Sequence, residues 1–149
     1  MKTKTGRNVL LILLAFLGLG ALGGGGVLII SPTGKLFGMP MTMLGKSPFD
    51  SFLIPGLILF IVIGVGPCLL ILALLKCPQS KIAEGINFFK DMCWPWTYTI
   101  YSAFSLIIWI QLEMMFLGGV HWLHTFYMLL ALAIIFTALL PQVRLLYKK

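Results

Sequence analysis

Four apolar runs, residues 8–30, 52–75, 97–117 and 122–140, contain neither lysine nor arginine, and each is long enough to cross a lipid bilayer as a helix. An α-helix rises 1.5 Å per residue, so about 20 residues traverse the roughly 30 Å hydrocarbon layer. Lipid offers no water to backbone N–H and C=O groups, so a spanning segment must pair them internally, as a helix or within a closed barrel. Barrel strands alternate apolar and polar residues, whereas the stretch from Leu57 to Ile63 is apolar at every position. The expectation is an all-α, integral membrane four-helix bundle formed as a single domain over residues 1–149.

Composition removes the soluble alternative. Sixty per cent of the residues are hydrophobic and 10% are charged, where a soluble domain carries roughly a quarter charged. A net charge of +7 could signal nucleic acid, but the distribution of the basic residues points to topology instead. Lys2, Lys4 and Arg7 precede the first run; Lys76, Lys81 and Lys90 lie between the second and third; Arg144, Lys148 and Lys149 follow the fourth; only Lys35 and Lys46 fall on the other side. The positive-inside rule therefore places both termini and the loop at residues 76–96 in the cytoplasm. No nucleic-acid partner is implied; the lipid bilayer is the expected partner, and the basic side favours anionic lipids by about 1 kcal/mol per nearby Lys or Arg. The first run also has the basic start and small residues (Ala21, Gly23) of a secretory signal, but its apolar stretch continues through Val27 to Ile30, so it is read as a retained helix.

The loops and interruptions carry further expectations. The outer loop, residues 31–51, is broken by Pro32, Gly34, Gly38, Pro40, Gly45 and Pro48 yet rich in Leu, Phe and Met, which suits an apolar cap folded over the helix ends. Met39, Met41 and Met43 could instead attract soft copper ions, although no His or Cys lies near them in sequence. Gly20 and Gly24 form a small-xxx-small pair on helix one for close packing within the chain or between copies. Gly64, Gly66 and Pro67 should kink helix two; a broken helix of this kind can also serve a transported ion. In the cytoplasmic loop, Ile82, Ile86 and Phe89 recur at helical spacing and predict a short interfacial helix over residues 81–90. Trp94, Trp96, Tyr98 and Tyr101 form an aromatic belt at the start of helix three.

Glu113 is the one acidic residue inside the runs, and an ionisable group at membrane depth is a functional candidate by default. The short connection after Leu117 forces helices three and four into a hairpin, which sets Glu113 level with Thr125 and beside His124, with His121 a turn nearer water. We expect a Glu113–His124 polar clasp with Gln111 nearby. The set Glu113, His121 and His124 is also the candidate metal site or a proton-coupling group. No catalytic or cofactor-binding constellation is visible. Asp50 and Asp91 fall on opposite sides of the bilayer and cannot share a proton as an aspartyl dyad, four acidic residues are too few for clustered metal ligands, and no C-x-x-C pair is present.

The stretch from Gly23-Gly24 through Pro32-Thr33-Gly34, Gly38-Met39-Pro40 and Ser47-Pro48-Phe49 to Phe52-Leu53-Ile54-Pro55-Gly56-Leu57 resembles a group of small uncharacterised bacterial four-helix membrane proteins. That resemblance implies the architecture and a bacterial cytoplasmic (inner) membrane setting, and carries no functional residues. The functional expectation is a non-enzymatic subunit, scaffold or lipid- or partner-binding module, alone or as a homo-oligomer. The alternative is a small oligomeric transporter using Glu113.

Overall fold

A computed structural model describes residues 2–149, with side chains from Lys4 onward. The first helix, α1 (Lys2–Ile30), runs unbroken until Pro32 denies it a further backbone donor. The second rod is built in three pieces: α2 (Leu53–Ile58), a π-helical segment (Leu59–Val65) and α3 (Gly66–Lys76). Pro67 is the physical cause, since it has no N–H for the carbonyl of Ile63 and its ring crowds that carbonyl. The turn before it widens, and the Gly66 N–H reaches back five residues to the carbonyl of Ile61. A short α4 (Lys81–Gly85), then α5 (Trp94–Leu117), α6 (Trp122–Leu139) and a terminal α7 (Pro141–Tyr147) complete the chain. Four of these rods, counting the second as one, are long and apolar enough to cross a membrane.

The rods close into a ring in the order α1, second rod, α5, α6 and back to α1. Successive rods are antiparallel, as the pairing of Gly25 with Gly56 and of Gly18 with Gly64 shows for the first two and the short turn after Leu117 for the last two. The interior is a stack of spaced apolar residues: Leu10, Leu14, Leu17 and Ala21 from α1, Ile100, Ala103 and Leu106 from α5, and Ala131, Ile134 and Ala138 from α6, all buried. Steps of three and four residues put each set on one helix face. One end of the ring gathers the chain start, residues 77–93 and α7: Gly6 faces Val143, and Met92 bridges to Lys148. The other end gathers residues 31–52 and the α5–α6 turn, where Phe49 and Phe116 meet edge to face at 6.0 Å.

Several expectations change in detail. The close approach of α1 is not made by Gly20 and Gly24 as a pair, because Gly20 faces the Tyr127 hydroxyl on α6 and Gly24 faces Leu59. The seam runs instead through Gly18, Gly25, Gly56 and Gly64: a Cβ on Gly25 would stand 2.7 Å from the Phe60 nitrogen and 2.8 Å from the Gly56 oxygen. The interfacial helix predicted over residues 81–90 stops at Gly85, because Asn87 turns inward. Its amide donates to the Met92 carbonyl at 2.9 Å and to Glu84 at 3.1 Å, while its oxygen accepts from Thr97 at 2.6 Å and from the Phe89 N–H. The outer loop forms two 3₁₀ turns, Lys35–Phe37 and Met41–Lys46, and Leu44 is its one buried large side chain, packed with the adjoining Phe52 and with Leu28. Leu36, Phe37, Met41 and Met43 remain exposed. The fourth run does not end the chain: Leu140 is extended ahead of Pro141, which then occupies the first turn of α7.

The seam generates a direct comparison. Gly25→Ala should lower stability by about 1–3 kcal/mol, the usual cost of overpacking, read as a fall in the thermal midpoint of the detergent-solubilised chain. Gly23→Ala, at a position with no atom within 4 Å, should be neutral or stabilising by up to about 1 kcal/mol.

Candidate functional site

The polar group on which the sequence focuses lies where α5 turns into α6. Gly118, in the left-handed region at φ 67°, ends α5 and allows the tight return. That turn brings Glu113 Oε2 to 3.7 Å from His124 Nε2. The other carboxylate oxygen accepts a 2.8 Å hydrogen bond from the Trp109 indole N–H, one turn earlier on α5. His124 Nδ1 accepts from the backbone N–H of His121 at 3.0 Å, and His121 Nδ1 accepts from the N–H of Leu123 at 3.4 Å.

Those bonds assign a tautomer. A nitrogen that accepts cannot carry the proton, so His124 holds its hydrogen on Nε2, aimed at Glu113. The two imidazoles thus do the work that Ser, Thr, Asp or Asn usually does at a helix start, satisfying N–H groups that have no partner inside the helix. Their rings meet edge to face with centroids 6.5 Å apart. Gln111, expected nearby, is exposed to the surroundings. Trp109 is the partner that sequence reading missed, although its i, i+4 spacing to Glu113 was available as a signal.

No group of three or more His, Cys, Asp or Glu side chains among the described residues is arranged to hold a metal ion. A small cavity of about 160 Å³ lies beside the clasp, lined by Met114, His124, Thr125, Met128 and Leu129. What the clasp does chemically is pin the α5–α6 hairpin: it ties a carboxylate on one helix to the cap of the next.

A second polar cluster stands at the opposite end. Lys149 Nζ donates to Glu84 Oε2 at 2.6 Å, which fastens the last residue to the loop before α5. The Lys149 ammonium first, and the Asn87 amide second, hold the Glu84 carboxyl below its ordinary range. The Cys93 N–H donates to the Tyr147 carbonyl at 2.7 Å, and the Trp96 indole donates to the Ala138 carbonyl at 2.8 Å. Cys77, with φ 42°, closes α3. Burial, together with the neighbouring Cys93 thiol, pushes the Cys77 thiol up to about 11, so Cys77 is a poor nucleophile at neutral pH. Burial likewise pushes the Tyr147 hydroxyl up to about 12.

Compared with protein-family models, with curated proteins and with solved structures, the chain gives no match.

Two predictions follow from the two clusters. Replacing His124 by Ala removes both the acceptor for the His121 N–H and the partner of Glu113, and should cost about 1–2 kcal/mol, the upper range for a lost helix cap; His121→Ala, which loses the longer bond, should cost less in the same unfolding measurement. For the Lys149–Glu84 fastening, the folded carboxyl titrates below its unfolded value. Its contribution is therefore complete above the usual carboxylate range and is lost as pH falls through the lowered value. Amide exchange in α7, corrected for intrinsic rates, should stay flat down to about pH 4 and rise below it; Glu84→Gln should show the raised exchange already at neutral pH.

Proposed function

We propose that this chain is a multi-pass protein of a bacterial cytoplasmic membrane, with both termini and residues 77–93 on the cytoplasmic side, acting as a non-catalytic module that contacts lipid and partner helices. The observation that carries this reading is the sorting of charge between the two ends of an apolar ring. By position along the chain, the end formed by the termini and residues 76–93 carries nine basic residues against Glu84 and Asp91, whereas at the other end Lys35 and Lys46 are balanced by Asp50 and Glu113. The whole net charge of +7 therefore resides at one end. A basic end of this kind stays on the cytoplasmic side during insertion.

The outward faces of the rods support a hydrocarbon surrounding. Ile12, Phe16 and Leu19 on α1, Leu69 and Leu72 on α3, and Leu129, Leu132 and Phe136 on α6 are all more than half exposed. In water such continuous apolar surface would drive aggregation; in lipid it is matched to its solvent. The interior, filled by aliphatic side chains and closed by α1 against α6, supports a binding or scaffolding role over the alternative of a small transporter built on Glu113. The Glu113 carboxylate is occupied by Trp109 and His124, about one turn from the end of α5.

Topology tests the proposal. On a background with Cys68, Cys77 and Cys93 changed to Ser, a cysteine at Thr42 should react with an impermeant maleimide in intact cells, and a cysteine at Gln79 should react only after the membrane is opened. Labelling of both in intact cells, or recovery of the chain in the soluble fraction after alkaline washing, would refute it.

A further inference from the structure

Two helix faces turned away from the central stack, with Leu70 their one buried residue, form a groove on the outside of the ring. From the second rod it takes Val62, Gly66, Leu69 and Leu70; from α5 it takes Trp94, Tyr98, Tyr101 and Ser102. Each set follows i, i+4, i+7, i+8, a single stripe on its helix, and the space between them is about 350 Å³. Gly66 is what leaves it open, since a Cβ there would have its nearest neighbour, the Ile61 carbonyl oxygen, at 3.9 Å.

The groove has almost no polar lining to offer a ligand. The Trp94 indole N–H is spent on the Pro78 carbonyl at 2.6 Å, the Tyr101 hydroxyl on the Ile86 carbonyl at 2.9 Å, and the Tyr98 hydroxyl on the Ala83 carbonyl at 3.3 Å. Those bonds hold residues 78–86 over the mouth of the groove and leave aromatic faces and aliphatic side chains to line it. The stretch from Trp94 to Ser102 spans about 12 Å at 1.5 Å per residue, which keeps the groove within one leaflet of a roughly 30 Å hydrocarbon layer. It opens at the basic end. Lys76 lies seven residues beyond Leu69, on the same face of α3, and Lys81 lies on the segment that the aromatic side chains hold in place. Both are exposed, and neither has an acidic partner among the described residues.

We infer that this groove holds one acyl chain of an anionic phospholipid drawn from the basic-end leaflet, with the headgroup phosphate at Lys76 and Lys81. A hydrocarbon chain fits a slot whose one uncommitted polar side chain is the small Ser102 hydroxyl, and a phosphate matches two unpaired ammonium groups at its mouth. The inference rests on the membrane placement proposed above and adds to it a specific site on one face.

The test uses the full chain purified in mild detergent from membranes containing anionic and zwitterionic phospholipids, with retained lipid measured by native mass spectrometry. The wild-type chain should keep anionic phospholipid with a preference of roughly 30-fold, the effect of two lysines near the phosphate. Gly66→Leu, which plugs the groove at a position with room for a side chain, should reduce retention roughly tenfold; Ser102→Leu is a second plug from the opposite wall. Gly23→Leu, on α1, which lends the groove no residue and leaves room for a side chain at this position, should leave retention unchanged. Lys76→Gln with Lys81→Gln should abolish the headgroup preference. The inference falls if both plugs retain lipid like wild type, if the double lysine variant keeps its preference, or if Gly66→Leu releases a bound polypeptide in place of lipid. A chain that reaches the membrane with the proposed topology and still retains no anionic lipid overturns this site alone, whereas a chain that never enters the membrane overturns the placement first.

Discussion

Backbone meeting backbone between α1 and the second rod is the contact from which the rest of the ring is built. Gly25 lies against Gly56 and Phe60, and Gly18 and Gly64 continue the seam. In the membrane placement proposed above there is no hydrophobic gain from pressing two apolar helices together, so attraction depends on how closely their atoms approach. Glycine on both sides removes the side chains that would keep the axes apart. With that pair fixed, α6 can close on the free flank of α1, and α5 is held between α6 and α3.

The two ends of the ring are secured by different chemistry. Where the connection is shortest, a carboxylate, an indole and two imidazoles tie α5 to the first turn of α6. Where the connections are longer, Asn87 does the equivalent work: it is buried with both ends of its side-chain amide engaged, which makes the loop before α5 a defined object and not a tether. The aromatic residues that the sequence suggests as depth anchors are consequently also struts, because Trp94, Tyr98 and Tyr101 each hand their polar atom to that loop.

How much of this could be read from residues alone divides along physical lines. Helix existence was legible because run length and the absence of Lys and Arg need no partner to interpret. The depth pairing of Glu113 with His124 followed from hairpin arithmetic, since a short turn leaves little freedom in register. Helix rotation was not legible: α5 and α6 are apolar on every side, so no polar face says which way each turns. The same holds for α1: spacing alone singles out Gly20 and Gly24, whereas Gly18 and Gly25 are the positions that reach backbone of the second rod. Asn87 read as one more position of an interfacial helix over residues 81–90, because its partners, Met92 and Thr97, come together only after the chain has doubled back. The turn into α7 was hidden for a related reason, as Pro141 reads equally well as a stop or as a first turn.

The widened segment ahead of Pro67 has a geometric consequence of its own. A π turn takes up more residues than an α turn, and each residue of an α-helix stands for about 100° of rotation. Residues 59–65 therefore act as a phase shifter within a single rod. Upstream of it, Gly56 looks inward to α1; downstream, the stripe through Gly66 and Leu69 looks toward α5. Removing one residue from that segment would leave the rod only one residue shorter and as apolar as before, yet would turn its two halves out of step.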